Sequence, residues 1–486
     1  MPKQTKPKPK DMKTEGQKLQ EKLFFEPANC WEKSNDKTHK DMEGFALAYK
    51  KFIDKGKTER EFTQASISLL EKKGFVNIEK LEDSSGTVKK LNAGLKVYRN
   101  IRGKALIAAV IGKKPIKEGL NILGAHIDSP RLDLKQNPLY EDSGLAFMDT
   151  HYYGGIKKYQ WTAIPLAMHG VFVNKKGQKQ DICIGEEEND PVFSITDLLP
   201  HLAQDQMQKK ASEFIDGEAL DVLAGSIPYK DEKVKDKIKL NIMSLLNKKY
   251  NITEKDFASA EIEFVPAYKA KDVGFDRSMI GAYGHDDRCC AYPSLIALID
   301  AADSKTPPNK TMLCYLSDKE EIGSVGNTGA QSYSFERFIE QLCKDRAELS
   351  KALEHSAMLS TDVNAAFDPA HAGVFEKKNT SHMGKGLVLT KYTGSRGKSG
   401  ASDANAEFCA KVQALLDNAE VPWQYGELGK VDKGGGGTIA LFAANLGMDV
   451  LDAGIAVLSM HSPFEIISKI DLYMAYKGYV AFLKDM

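Results

Sequence analysis

Short apolar runs alternate along the chain with longer segments in which apolar positions recur every three or four residues. The short runs predict β-strands at 105–111, 120–125, 311–316, 357–361, 387–391 and 455–460. The longer segments predict helices at 289–302, 335–344, 402–418 and 470–484. This alternation predicts an α/β fold, with a layered and mostly parallel sheet in its main domain. Ligand sites in such sheets lie at the carboxyl ends of the strands.

The middle of the chain, 136–270, has a different pattern. Pieces rich in Tyr, Val and Ile, such as "GVFVNKKG" and "AEIEFVPAY", alternate there with charged segments such as "DEKVKDKIKLNIMSLLNKKY". This predicts an inserted mixed α+β domain of short strands and one or two helices. The main domain then consists of 21–135 and 271–486. Residues 1–20 begin with the Lys- and Pro-rich stretch "MPKQTKPKPKDMK" and predict a solvated, mobile arm.

Charge and composition narrow the class of protein. Lys and Arg number 67, as do Asp and Glu, so the formal net charge is zero. This balance argues against a nucleic-acid or membrane-surface binder, and no run of 18 apolar residues predicts a membrane span. The first residues lack the apolar core of a secretory signal, so we expect a cytoplasmic protein. The seven cysteines show no CxxC spacing, which argues against a zinc site built from thiolates.

Histidines and carboxylates follow several of the predicted strands or precede a helix. The stretches are "NILGAHIDSP" with His126 and Asp128, "GAYGHDDRCC" with Asp286 and Asp287, "SDKEEIGS" with Glu320 and Glu321, "AMLSTDVNAA" with Asp362, and "IAVLSMHSPFE" with His461. Each residue alone has an ordinary explanation as a helix cap, a turn residue or a solvated side chain. Together they would place two histidines and several carboxylates at one edge of a sheet.

Carboxylates gathered at one edge repel each other and require a cation. Imidazole and carboxylate donors together suit Zn²⁺, Mn²⁺ or Co²⁺. Five ligands, one of them a bridging carboxylate, can hold two ions roughly 3.5–4 Å apart. Asp128 lies on the same strand face as His126 and can orient its imidazole. Of the adjacent glutamates Glu320 and Glu321, we expect one to bind metal and the other to transfer the proton.

These motifs, in this order and joined by "SGASDANAEF", resemble the aspartyl aminopeptidase (aminopeptidase I) family of dinuclear zinc exopeptidases. The resemblance covers the chain from about residue 120 to its end. It implies an α/β catalytic domain interrupted by an oligomerisation domain, two bound zinc ions, small peptides as substrates and a homo-oligomer in the form of a tetrahedral dodecamer.

The family motifs also imply a role for each site residue. His126 and Asp362 would bind one metal, Glu321 and His461 would bind the other, and Asp286 would bridge them. Asp128 would orient His126, and Glu320 would act as the catalytic base that takes a proton from the attacking water. Asp287 would lie behind the ligands.

Two further residues are candidates for substrate or metal contact. His201 in "LLPHLAQDQ" lies in a Pro-His-Leu context where many relatives lend a histidine to the neighbouring subunit, but Asp205 replaces a second histidine expected in some relatives. A preference for N-terminal Asp or Glu requires a cation in the first pocket, and Lys391 is the candidate, with Arg396 and Lys398 behind it. Other relatives prefer neutral residues such as Leu, so both specificities stay open.

Three other functions remain as alternatives to a metal-dependent aminopeptidase. Two are related dinuclear hydrolases, a deacylase and a carboxypeptidase. The third is a non-enzymatic shell protein stabilised by metal, although a closed structural site does not need the extra carboxylate of Glu320.

Overall fold

A computed structural model describes residues 13–82, 88, 91–174, 176–304 and 306–486. Residues 1–12 of the predicted mobile arm lie outside this part of the chain. Residues 15–20 of that arm lie in a helix, α1 (Glu15–Leu23), which begins after the capping residue Thr14 and buries none of its side chains.

The remaining helices of the described residues are, in chain order, α2 (Cys30–Lys33), α3 (Asp36–Ile53), α4 (Glu59–Lys72), α5 (Gln204–Met207), α6 (Lys237–Tyr250), α7 (His285–Ala302), α8 (Ser334–Glu340), α9 (Arg346–Glu354), α10 (Ala406–Asn418), α11 (Ala440–Asn445) and α12 (Lys469–Asp485). The strands are β1 (Val76–Asn77), β2 (Lys96–Ile101), β3 (Ala105–Val110), β4 (Leu120–His126), β5 (Arg131–Asp142), β6 (Leu145–Tyr153), β7 (Leu166–Val173), β8 (Lys179–Ile184), β9 (Ser194–Ile195), β10 (Val222–Gly225), β11 (Glu261–Pro266), β12 (Lys271–Val273), β13 (Met279–Ala282), β14 (Thr311–Ser317), β15 (Ala357–Ser360), β16 (Asn364–Ala365), β17 (Leu387–Thr390), β18 (Gly394–Ser395), β19 (Trp423–Tyr425), β20 (Gly435–Gly436), β21 (Asp449–Gly454), β22 (Ala456–Leu458) and β23 (Glu465–Ser468).

The largest sheet has the strand order β1-β2-β3-β14-β4-β15-β21-β17-β19. Its four central strands, β14, β4, β15 and β21, run parallel to one another. On either side of them, β3 runs antiparallel to β14 and β17 runs antiparallel to β21, so the sheet is mixed. The α/β fold predicted from the alternating pattern is confirmed, and the parallel arrangement applies to the centre of this sheet.

Side chains of the central strands alternate between two cores, as the two-residue period of a strand requires. On β14, Met312 and Cys314 join the core that includes residues of α3, α7, α10 and α12. Leu313 and Tyr315 point the other way and join a core with residues of α8, α9 and α11. Because both faces are covered, the strands consist of nearly continuous apolar runs.

A second sheet contains strands from residues 131–266 and has the order β8-β7-β11-β5-β6-β10-β9. Its pairings are antiparallel. It has a core of its own, in which Trp161, Phe172 and Phe264 are buried. A third sheet, β12-β13-β23-β22-β16, and a two-stranded ribbon of β18 and β20 complete the set.

The predicted strand 455–460 differs from the structure. Within it only Ala456–Leu458 form a strand, β22, and Ser459 and Met460 lie beyond that strand. A further strand, β21, ends at Gly454, just before the predicted strand begins. The sequence of β21, "DVLDAG", contains Asp and Gly, which are rare in strands, so local preference conceals it. Burial of Val450, Leu451 and Ala453 in the core outweighs that preference. None of the described helices is long and apolar enough to cross a membrane.

Candidate metal centre

Three neighbouring parallel strands bring the first candidate residues together. His126 is the last residue of β4, and the register places it opposite Ser317 at the end of β14. On the other side of β4, Gly124 lies opposite Ser360 at the end of β15. The chain therefore leaves β14 towards Glu320 and Glu321, and leaves β15 towards Asp362, at the same edge as His126.

Asp286 lies between the two histidines. It follows β13, near the start of α7, and is buried. Its Oδ1 lies 3.2 Å from Nε2 of His126, and its Oδ2 lies 3.2 Å from Nε2 of His461. One carboxylate thus presents an oxygen to each imidazole, which is the arrangement of a bridging ligand.

The donors form two groups that share this carboxylate. His126, Asp286 and Asp362 make one group, and Asp286, Glu321 and His461 make the other. In each group the donor atoms lie within 4.8 Å of one another. The structure therefore assembles all five predicted ligands in the division that the family motifs imply, while their binding of metal stays a prediction.

Asp128 is the centre of a buried hydrogen-bond network. Nδ1 of His126 lies 3.1 Å from the Asp128 carbonyl oxygen and 3.4 Å from its Oδ1, which leaves Nε2 directed at Asp286. The Asp128 carboxylate accepts the backbone N–H groups of Glu320 and Glu321 at 3.1 and 3.2 Å. It also accepts the hydroxyl of Tyr153 at 2.8 Å. Asp128 thus holds His126 mainly through its backbone carbonyl and holds the two glutamates through its carboxylate.

Tyr153 and Glu465 are site residues that the sequence interpretation missed. Glu465 is buried and accepts the backbone N–H of Asp286 at 3.0 Å and that of His461 at 2.6 Å. It therefore holds two candidate ligands at a fixed separation. Its signal was present in "HSPFE", where a glutamate follows His461 by four residues. Tyr153 ends a strand of the second sheet, and no local pattern connects it with Asp128.

The carboxylates of the site are crowded and buried. Burial, followed by the charge of Asp286, raises the pKa of Glu321 well above its usual range. Burial also raises the pKa of Asp362 well above its usual range and that of Glu320 to about 7. Burial acts in the same direction on Asp286, but hydrogen bonds to the two histidines bring its pKa below the usual value.

The donor set fits divalent metal ions. Oε1 of Glu321 is buried and has no hydrogen-bond partner among the described residues, although such an oxygen normally has one. Bound cations would satisfy it and would favour the ionised form of the buried carboxylates. Nitrogen and carboxylate oxygen donors are ligands that zinc accepts.

A cavity of about 450 Å³ opens beside these donors. Asp286, Glu320, Glu321, Asp362 and His461 line one side of it. The remaining lining comes from the following residues: Gly155, Gly323, Val363, Asn364, Thr390, Thr393, Leu428, Gly435, Gly436, Gly437, Thr438, Asp452 and Met460. Three consecutive glycines, Gly435, Gly436 and Gly437, therefore contribute backbone to the cavity wall, where a lack of side chains leaves room for a ligand.

Three predicted residues occupy other positions. His201 is exposed in the turn Pro200–Leu202 and is not one of the cavity residues. The Lys391 ammonium binds the Asp403 carboxylate at 2.5 Å and does not line the cavity either. Asp287 is buried behind the donors, where its Oδ2 accepts the backbone N–H of His126 at 3.3 Å.

Comparison with known proteins agrees with this geometry. Residues 52–483 match the family model of the aminopeptidase I zinc metalloproteases (M18). A probable M18 family aminopeptidase 1 of Clostridium acetobutylicum is 54% identical over 468 residues, which cover 95% of this chain and 99% of that protein. A crystal structure of an M18 aminopeptidase from Thermotoga maritima has a TM-score of 0.89 and 44% identity, covering 95% of this chain and 100% of its own.

A more distant structure, the mApe1 dodecamer of S. cerevisiae, has a TM-score of 0.73 and 23% identity and covers 92% of this chain and 97% of its own. At this level of identity, the comparison shows a shared fold alone. The match of the family model to most of the chain, together with the high identity of the bacterial relatives, confirms the family predicted from the motifs. The chain belongs to the M18 family of aminopeptidase I zinc metalloproteases, and it is a metallo-aminopeptidase.

Proposed function

We propose that this aminopeptidase removes N-terminal residues from small peptides with two divalent metal ions, zinc in the first instance and cobalt or manganese as substitutes. His126 and Asp362 would hold one ion, Glu321 and His461 would hold the other, and Asp286 would bridge them. The observation that carries the proposal is the pair of donor groups that share Asp286. Bound ions of this kind lower the pKa of water and polarise the peptide carbonyl.

Glu320 is the proposed general base. Its carboxylate lines the cavity, and its Oε2 lies 3.9 Å from Nε2 of His126. Glu320 belongs to neither of the two donor groups, so its carboxylate is free to accept a proton. In the metal-free protein, burial raises its pKa to about 7. A carboxylate at this position can accept a proton from the attacking water and return it to the leaving amine. Asp128 supports this role because it fixes the backbone of Glu320.

The cavity favours a neutral first residue over an acidic one. Its described lining contains no Lys or Arg, whereas Val363, Leu428 and Met460 provide apolar surface. An aspartate or glutamate side chain in this cavity would lie close to the carboxylates of the site without a cation of this chain to bind it. We therefore propose a preference for Leu-like residues, and Lys391 serves a salt bridge with Asp403.

We further propose that residues 136–270 form an inserted oligomerisation domain and that the chain assembles with copies of itself, as a dodecamer in the first instance. Large apolar side chains are exposed around His201: Leu198, Leu199, Leu202 and Met207. Exposed apolar surface of this kind marks protein contacts. Burial of this segment against a neighbouring copy would bring His201 to the neighbour and explain why it lies outside its own cavity. Light scattering of the purified protein would measure the assembly.

The test of the proposed function is a panel of aminoacyl anilides carrying Asp, Glu, Leu, Met, Lys or acetyl-Leu. The enzyme is first stripped of metal and then refilled with Zn²⁺, Co²⁺ or Mn²⁺. We expect metal to restore cleavage of the free-amine substrates, with Leu and Met ahead of Asp and Glu, and acetyl-Leu to stay uncleaved. Cleavage of acetyl-Leu would favour a deacylase, and faster cleavage of Asp than of Leu would contradict the proposed pocket.

A further inference from the structure

A second cluster of metal-binding side chains lies outside the candidate metal centre. Glu61, His169 and Cys183 each place one donor atom within 4.8 Å of the others. Glu61 belongs to α4, His169 to β7 and Cys183 to β8. In the β7–β8 pair His169 lies directly opposite Cys183, so both side chains project from the same face of the second sheet. The carboxylate of Glu61 completes the group from the facing helix.

The imidazole of His169 is held in one orientation. Its Nε2 lies 3.1 Å from Oε1 of Glu186. That same oxygen accepts a hydrogen bond from the Lys57 ammonium at 2.5 Å, and the ammonium also donates to the carbonyl oxygens of Pro266 and Tyr268 at 2.8 and 3.0 Å. His169 and Lys57 are both buried. A carboxylate fixed on one ring nitrogen is the arrangement that orients histidine ligands for metals.

The other ring nitrogen faces the carboxylate of Glu61. Nδ1 of His169 lies 2.7 Å from Oε1 of Glu61. The second oxygen of Glu61 accepts the backbone N–H of Thr58 in a capping box at the start of α4, so this carboxylate also has a defined position. Cys183 is exposed and free, so an ion can reach the cluster from solvent. Glu61 and His169 are therefore pre-oriented, and Cys183 is accessible from solvent.

We propose that Glu61, His169 and Cys183 form an additional binding site for a divalent metal ion of the zinc class. Thiolate, imidazole and carboxylate are all zinc ligands, and three protein ligands leave a fourth position of the tetrahedron for water. Binding releases the proton of the Cys183 thiol and any proton on Nδ1 of His169. The negative charges of the thiolate and of Glu61 then balance the two positive charges of the ion.

An ion at this position would connect two parts of the fold. It would join α4, which precedes the first strand of the largest sheet, to the β7–β8 pair of the second sheet. Without metal, the same side chains form a chain of hydrogen bonds from Glu61 through His169 to Glu186. Metal binding would thus replace the hydrogen bond between Glu61 and His169 with bonds from both side chains to the ion. The role of the site is structural.

Cobalt substitution separates this site from the candidate metal centre. The donors proposed for that centre are nitrogen and oxygen only, whereas Cys183 would give a sulfur-to-cobalt charge-transfer band. We expect the metal-stripped full-length protein to show this band after refilling with Co²⁺. Cys183→Ser should abolish the band, bind one ion per chain fewer than the unchanged protein and keep its peptidase activity. Cys343→Ser, at a half-buried thiol far along the chain, is the control and should keep both the band and the ion.

Two results would overturn the proposal. One is the absence of a sulfur-to-cobalt band together with equal ion content in the unchanged protein and Cys183→Ser, which would leave the cluster as a set of ion pairs. The other is a band that persists in Cys183→Ser. His169→Gln gives a second comparison, since it should remove the ion and leave the thiol in place. Each comparison is between variants, so it holds whatever number of ions the candidate metal centre binds.

Discussion

Replacing Tyr153 with Phe removes one oxygen atom from beneath the candidate metal centre. That oxygen donates a hydrogen bond to the buried carboxylate of Asp128 at 2.8 Å. The ring of Tyr153 also packs against the guanidinium of Arg131, 3.8 Å from the ring centroid, and Phe would retain this contact. Tyr153→Phe therefore tests the support of Asp128 with little other disturbance.

The expected magnitude follows from the hydrogen bonds of Asp128. A hydrogen bond to a charged group contributes about 1.5–3 kcal/mol. Asp128 would keep the backbone N–H groups of Glu320 and Glu321, so its position would loosen without being lost. Changes behind metal ligands typically weaken metal binding by about 10–100-fold. We expect Tyr153→Phe to fall in this range, with kcat at saturating metal changed less than the metal affinity.

The assay is recovery of peptidase activity as metal is added back to the stripped enzyme. Tyr140→Phe is a matched control, because Tyr140 likewise donates to a carboxylate, that of Asp221 at 2.6 Å, but at an exposed position. The control should recover at the same metal concentration as the unchanged enzyme. If Tyr153→Phe also recovered at that concentration, Asp128 would not depend on this hydrogen bond and the argument for its network would fail.

Three other changes test the fold and the pocket. Leu123→Ala, at a fully buried position of β4, should lower the free energy of unfolding by about 2–5 kcal/mol in urea denaturation. Burial lowers the pKa of His285 from 6.5 to about 3, so the neutral ring is favoured in the folded protein. His285 alone should therefore cost up to about 1.4 kcal/mol of stability per pH unit below pH 6.5. This contribution is measured as the difference in pH dependence between the unchanged protein and His285→Asn in urea denaturation. Lys391→Ala should leave the ratio of Asp to Leu cleavage within about twofold, because Lys391 does not line the cavity and its exposed ion pair with Asp403 contributes under about 1 kcal/mol. A selective loss of Asp cleavage would show that Lys391 contacts the substrate.

The gathering of the candidate ligands could be predicted from the sequence because most of them lie at or just after the ends of neighbouring strands. His126, Glu321 and Asp362 come after neighbouring parallel strands, and the ends of such strands meet at one edge of a sheet. Buried strands also produce apolar runs that are visible without any structural information. The same rule predicted β3, β4, β14, β15 and β17 of the largest sheet within one or two residues, but it did not predict β1, β2, β19 or β21.

Contacts between distant elements could not be predicted in this way. Tyr153 reaches Asp128 from the second sheet, and Cys183 meets His169 only through the register of β7 and β8. Nothing in the local sequence encodes either approach. The pairing of Lys391 with Asp403 likewise depends on how a loop folds back, and the local sequence does not encode it.

We propose that the assembled donors hold metal while Glu320 transfers the proton. Glu320→Gln tests it most directly, with ion content and turnover measured on the same sample. We expect Glu320→Gln to keep the ion content of the unchanged enzyme and to lose turnover by at least about 10²-fold, the scale of general-base catalysis. Near-normal turnover with full ion content would contradict the role of Glu320, and a loss of ions would show that Glu320 is itself a ligand.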